Sequence, residues 1–195
     1  DMTLEFYLLP YLEKFHELHP DVKVKITNAP TPETLKNIMD GSVDLCLVST
    51  PFEVGDGMEV RPVREIEDIF VAGRRYTQLK NHMTDFKELL DYPIISLEEN
   101  TSTRKYMDEL LAQNDVVLHP EFELATSNMI VQFALRNLGI GCVVRDFAQS
   151  EIESGRLFEI RFNKMIPKRQ ICVVTNQKLP TSFAAKGLLD LLFAS

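Results

Sequence analysis

Apolar residues recur along this chain at two alternating periods, and residues 127–144 carry both. Ile130, Phe133, Ala134 and Leu138 fall at helical spacing and predict one apolar helix face. Ser127 or Thr126 can cap that helix, because a short hydroxyl accepts from the free backbone N–H groups at its start. Gly139 stands where a left-handed residue would stop it. Residues 140–144 are short, apolar and β-branched, as a strand buried on both faces requires.

The same reading extends over the rest of the chain. Residues 3–18 predict a helix with Leu4, Leu8, Tyr11, Leu12 and Phe15 on one face, bent at Pro10. Residues 22–27 alternate as a strand. Residues 32–40 predict a helix with Thr31 as its cap and Gly41 as its stop. Strands follow at 44–49, 58–63 and 66–72. Residues 85–90 predict a short helix, 93–97 a strand, 103–113 a helix and 121–125 a strand. Beyond residue 144 come a short helix at 150–154 ended by Gly155, and strands at 157–162 and 170–175. Thr181 caps a last helix running to Phe193. Repeated alternation of strand and helix predicts an α/β fold with parallel-rich sheets covered by helices.

Composition narrows the function classes. With 195 residues, 45% hydrophobic, the chain can bury an ordinary core as one large domain or two small ones. The 21 basic residues less the 29 acidic ones leave a net charge of −8, which argues against a direct nucleic-acid surface. No apolar stretch approaches the roughly 20 residues of a membrane helix. Cys46, Cys142 and Cys172 all sit in apolar, strand-like runs, which predicts buried thiols and a reducing compartment. The start Asp1-Met2-Thr3-Leu4-Glu5 has no signal-peptide pattern and opens abruptly on a helix, as a piece of a longer protein would.

Open α/β sheets bind ligands beyond the carboxyl ends of their strands, where helices begin. Four such places carry polar caps: Thr3, Thr31, the run Asn100-Thr101-Ser102-Thr103, and the run Thr126-Ser127-Asn128. An ordinary cap accounts for each one alone; together they predict a site for a small anionic molecule. Arg145, after the strand at 140–144, is either a donor to a ligand carboxylate or a solvated surface arginine. His16, His19, His82 and His119 are too scattered for a metal site. Ser49, Ser96 and Ser127 lack a nucleophile elbow. Gly139-Ile140-Gly141 is not a dinucleotide fingerprint: Val144 takes the third glycine's place, and the glycines precede a strand. No catalytic residue, metal or cofactor is predicted.

Several motifs carry a resemblance. They are Leu8-Leu9-Pro10-Tyr11-Leu12, then His19-Pro20-Asp21-Val22, then Gly41-Ser42-Val43-Asp44-Leu45, and the capped helix leading to Gly139-Ile140-Gly141. Each is short, but their order and spacing from about residue 3 to the C-terminus resemble the effector-binding domains of LysR-type transcriptional regulators. The resemblance implies a type 2 periplasmic-binding-protein fold. In it, two Rossmann-like subdomains are joined by two crossover strands, with an interlobe cleft. Residues 1–72 with 174–195 would form subdomain I, and 73–173 subdomain II. The family's winged helix-turn-helix, and the strand that precedes its first helix, are absent from this chain.

The resemblance also assigns roles. Effector-contacting hydroxyls are implied at Thr3, Thr31, Thr101, Ser102, Thr103 and Ser127, with Asn128 beside them. A homodimer, or a tetramer built from it, is implied, with Phe15, Val131 and Leu135 at the head-to-tail contact. DNA would be bound only through the missing domain, in the cytoplasm and away from membranes. A free-standing solute-binding protein of a transporter shares the fold and is the rival reading. An enzyme on this fold would need a lysine, cysteine or carboxylate dyad in the cleft, and the sequence offers none.

Overall fold

Pro10 shapes the start of the chain in the computed structural model, which describes residues 3–194. Leu4–Leu8 wind as a π-helical turn and α1 follows as Leu9–Leu18. Proline has no N–H and its ring crowds the carbonyl four residues back, so the α-helical ladder cannot run through it. The Leu9 N–H reaches back to the Leu4 carbonyl, and the Phe6 carbonyl accepts from the Arg64 guanidinium. The predicted bend is therefore a change of pitch. It also rotates the apolar face: Tyr7 is buried, whereas Leu4 and Leu8 are only half-buried.

The strand expected at residues 22–27 does not form. That segment is irregular, and Val24 and Ile26 are 47% and 48% exposed. Alternation supplies an apolar face, but a strand also needs a neighbour for its backbone N–H and C=O groups. Helix α2, Thr31–Met39, comes next and ends at Gly41 with φ of 77°. It lays Leu35 and Ile38 on β1, Cys46–Ser49. Then β2, Met58–Ile66, carries the chain onward.

The chain divides into two compact units, Asp1–Glu65 with Arg169–Ser195, and Ile66–Lys168. In the second, β3 is Asp68–Ala72, β4 is Met83–Thr84 and β5 is Ile94–Leu97. Helix α3, Ser102–Ala112, leads to β6, Phe122–Leu124. Helix α4, Ser127–Leu135, leads to β7, Ile140–Val144. Helix α5, Arg145–Glu153, leads to β8, Phe158–Glu159, and to β9, Arg161–Phe162. Five strands form one sheet in the order β6-β5-β7-β3-β8, while β4 and β9 make a short parallel ribbon. Strand β5 runs parallel to β6 and β7, and β3 antiparallel to β7 and β8. Met107 and Leu111 of α3 pack with Phe70, Ile94, Ile140 and Cys142 on one face of this sheet. Ile130 of α4 lies over Gly141 on the other, as side chains that alternate across a strand require.

Two glycines permit this packing. A Cβ on Gly141 would come within 2.7 Å of the Ile130 side chain. A Cβ on Gly139 would meet the Pro93 carbonyl oxygen at 2.5 Å. Gly139 is thus needed for close approach and is not the left-handed stop of α4. That role falls to Asn137, with φ of 60°, whose side-chain oxygen accepts from the Arg75 N–H at 2.9 Å.

Helix α5 begins directly at Arg145, well before the predicted residue 150, because Phe147 and Ala148 bury themselves against the sheet. Arg145 pairs with Glu67 at 2.6 Å and Glu159 at 2.9 Å, and Lys168 pairs with Glu67 at 2.9 Å. The Lys168 ammonium and then the Arg145 guanidinium hold the Glu67 carboxyl below its usual range. The first unit is completed by β10, Arg169–Asn176, and α6, Phe183–Phe193. Its sheet has the order β1-β10-β2. Ser182 caps α6, accepting from the Ala185 N–H at 3.2 Å; Thr181, predicted for that role, does not. The expected subdomain limits at 72 and 174 move to 65 and 169. Strand β3 pairs within the second unit's sheet, and β10 pairs along β1 from its N-terminal half.

Two outcomes follow from this packing. Gly139→Ala should lower unfolding free energy by about 3 kcal/mol, since only backbone can yield to its Cβ. Gly155→Ala, in open space at φ of 71°, should cost only about 1 kcal/mol. Urea denaturation measures both, and equal losses would contradict the Gly139 contact. Glu67, depressed in the folded state, contributes stability above its unfolded pKa of about 4.3 and loses it as pH falls through the folded value. Melting scans from pH 7 to 3 should therefore show a shallower acid loss in Glu67→Gln than in the native protein.

Candidate functional site

In the second unit the three parallel strands end at one edge of the sheet, and a helix begins after each. The connection from β5 leads one way through α3 to β6, and that from its neighbour β7 leads the other way through α5 to β8. Connections that diverge in this way leave a crevice at the carboxyl edge, where helix N-termini meet. The free N–H groups and positive dipole ends there favour negative charge.

Thr126 caps α4, its hydroxyl accepting from the Met129 N–H at 3.4 Å. Ser127 is therefore the first helical residue and not the cap, and it is 9% exposed. Asn128 beside it is exposed. Thr101 caps α3: its hydroxyl accepts from the Arg104 N–H at 3.3 Å and donates to the Glu98 carbonyl at 2.9 Å. Both roles of that hydroxyl are already occupied. Ser102 and Thr103, on the first turn of α3, are half-buried. Thr101 to Thr103 and Ser127 to Asn128 thus gather at one sheet edge. The Glu98 N–H donates to the Leu124 carbonyl at 3.1 Å, which ties the loop after β5 to the end of β6.

Thr3 and Thr31 lie in the first unit and neither acts as a cap. Thr3 has helical torsions, φ −60° and ψ −39°, and its hydroxyl makes no capping bond. Thr31 is inside α2, which Pro30 opens, and Thr34 donates to the Ala29 carbonyl at 3.1 Å. The Arg145 guanidinium, one-third exposed, donates to Glu67 through Nε and to Glu159 through Nη2. Of the residues assigned to a dimer contact, Phe15 is 2% exposed and Val131 4%. Helix α6 packs on α1, and of these three residues half-buried Leu135 retains surface.

The sequence reading missed Arg104. This side chain is 6% exposed, donating to the Leu97 carbonyl at 2.9 Å, to Asp108 at 2.7 Å and to Glu123 at 3.3 Å. It braces the end of β5 against α3 and β6. Its signal was an arginine in helical register with Met107 and Leu111, with an aspartate one turn on. The cysteines offer no nucleophile. All three are buried, and burial pushes the Cys46 thiol up to about 12. Among the described residues no group of three His, Cys, Asp or Glu could hold a metal ion, and no helix is long and apolar enough to cross a membrane.

Comparison with known proteins supplies the family. The model described as LysR substrate binding domain matches residues 2–195. A probable RuBisCO transcriptional regulator of Cyanophora paradoxa is 27% identical over 94% of this chain, which spans 59% of that relative. The HTH-type transcriptional activator CmpR of Synechocystis is 20% identical over 98% of this chain, and 63% of that relative is covered. Among solved structures, the Synechocystis PCC6803 CcmR regulatory domain in complex with 2-PG is similar, with a TM-score of 0.86 at 21% identity. The match covers 98% of this chain and 92% of that one. The effector binding domain of QuiR in complex with shikimate has a TM-score of 0.81 at 16% identity, covering 98% and 91%. The two-unit α/β architecture is thus the type 2 periplasmic-binding-protein-like fold, and the chain belongs to the LysR substrate-binding-domain family.

Proposed function

We propose that this chain is the effector-sensing and assembly part of a LysR-type transcriptional regulator. It binds a small anionic molecule at the carboxyl edge of the five-stranded sheet. The observation that carries this reading is the α4 N-terminus. A nine-residue helix starts there with a capped first turn and a Ser127 hydroxyl tucked beside it. Ser102, Thr103 and Asn128 supply further hydrogen bonds to the ligand, and Thr3 and Thr31 are the first unit's candidates. Similar domains hold 2-PG and shikimate, which supports a small, highly oxygenated ligand here. Binding favours one conformation or assembly over another and so acts on DNA contacts made outside this chain. The protein works as a dimer or tetramer in the cytoplasm. The relatives are named transcriptional regulators, which favours this reading over a transporter's solute-binding protein.

A thermal-shift screen against small phosphorylated and carboxylated metabolites tests the proposal. At a hundred times Kd, a ligand of the native state adds about 2.7 kcal/mol and should raise Tm by roughly 5–10 °C. Ser127→Ala should weaken a hit about tenfold, the equivalent of one hydrogen bond. Unchanged affinity in that variant would sink the assignment of the site. Arg145→Gln should leave affinity for the same ligand nearly unchanged while lowering Tm, because its partners are Glu67 and Glu159. A loss of affinity with unchanged Tm would return Arg145 to the ligand.

A further inference from the structure

The chain passes between its two units twice, between Glu65 and Ile66 and between Lys168 and Arg169. Both passages run side by side in the first unit, where β2 and β10 are neighbours in its sheet. In the second unit they differ. The first continues as a strand at once: Ile66 and Asp68 are buried, and β3 starts at Asp68. The second follows β9 through residues 163–168, which have no regular secondary structure, and Met165 there is 84% exposed. No ladder of backbone bonds stiffens that stretch.

Side chains grip both passages close to the point where each changes unit. On the first-unit side the Arg64 guanidinium donates to the Phe6 carbonyl, and buried Arg169 donates to the Ser49 hydroxyl and the Thr50 carbonyl, each at 3.3 Å. On the second-unit side Arg145 holds Glu67 twice. Its guanidinium meets the carboxylate at 2.6 Å, and its N–H donates to the Glu67 carbonyl at 2.8 Å. Lys168 pairs with the same carboxylate at 2.9 Å. Arg145 is itself anchored on Glu159, so Glu67 stays fixed whether or not Lys168 is there. The Tyr106 hydroxyl donates to the Pro167 carbonyl at 2.6 Å, which ties the end of the irregular stretch to α3. Between the grips remain Glu65 and Ile66 in one passage and the single link from Lys168 to Arg169 in the other.

We propose that the Glu67–Lys168 pair is a clasp that joins the two passages into one hinge. Two segments fixed side by side permit a bend about one axis, whereas two that are free of one another also permit a twist. The clasp therefore confines movement of one unit against the other to a single mode. The Lys168 side chain is half-exposed, so salt screens the pair and loosens the clasp. The clasp does not depend on any ligand at the sheet edge of the second unit.

Hydrogen exchange and pulsed dipolar spectroscopy of the whole chain test the proposal with Lys168→Gln, a surface change that leaves Glu67 on Arg145. Amides within residues 164–168 should exchange about threefold faster than in the native protein, the scale of one exposed ion pair. Raising sodium chloride from about 0.05 to 0.5 M should do the same to the native protein and little to Lys168→Gln. Spin labels at Glu53→Cys in the first unit and Lys105→Cys in the second, both exposed positions, report the movement itself. Their distance distribution should broaden in Lys168→Gln and stay native in Lys168→Arg. Lys178→Gln, which breaks the exposed Lys178–Asp56 pair inside the first unit, should change neither readout. An unchanged distribution in Lys168→Gln, equal broadening in Lys178→Gln, or a salt effect of the same size with and without Lys168 would each overturn the proposal.

Discussion

The close seating of α4 on the five-stranded sheet governs the second unit. Gly141 admits Ile130, and Gly139 admits the Pro93 carbonyl. Both approaches are shorter than any side chain would permit. A helix advances about 1.5 Å per residue and is stiff over nine residues. Anchoring it at Ile130 therefore sets where its first turn lies. The left-handed Asn137 makes the return to β7 short enough for this contact. Thr126, Ser127 and Asn128 stand at the carboxyl edge as a consequence of packing some ten residues away.

The second constraint is charge. Two arginines lie close to the same sheet edge, and the fold uses both. Arg104 braces β5, α3 and β6, while Arg145 joins β3, α5 and β8. A buried or half-buried guanidinium must be paired, because an uncompensated charge away from water is costly. The polar groups left at this edge are then backbone N–H groups and hydroxyls.

The first unit shows the same principle in reverse. Val24 and Ile26 carry a strand's alternation yet remain exposed in an irregular segment, for want of a backbone neighbour. Helix α6 packs on α1, and Phe15 is buried.

Local chemistry was legible in the sequence wherever it was sufficient. Helical periodicity gave α2, α3, α4 and α6, apolar β-branched runs gave β1, β5 and β7, and Gly41 and Gly155 marked turns that do take positive φ. Pro10 foretold an irregular first helix, and the ordered motifs pointed to the family. Other features were decided between segments far apart in the chain. Ser127 rather than Thr126 lies inside α4, α5 starts at Arg145, and Gly139 serves a contact with Pro93 instead of a turn. Arg145 answers to Glu67 and Glu159, distant by 78 and 14 residues. The period of apolar positions is set by neighbours along the chain, and so the sequence alone determined it. Strand pairing, close backbone approach and the partner of each charge depend on what lies alongside in space, and only the tertiary structure decided those.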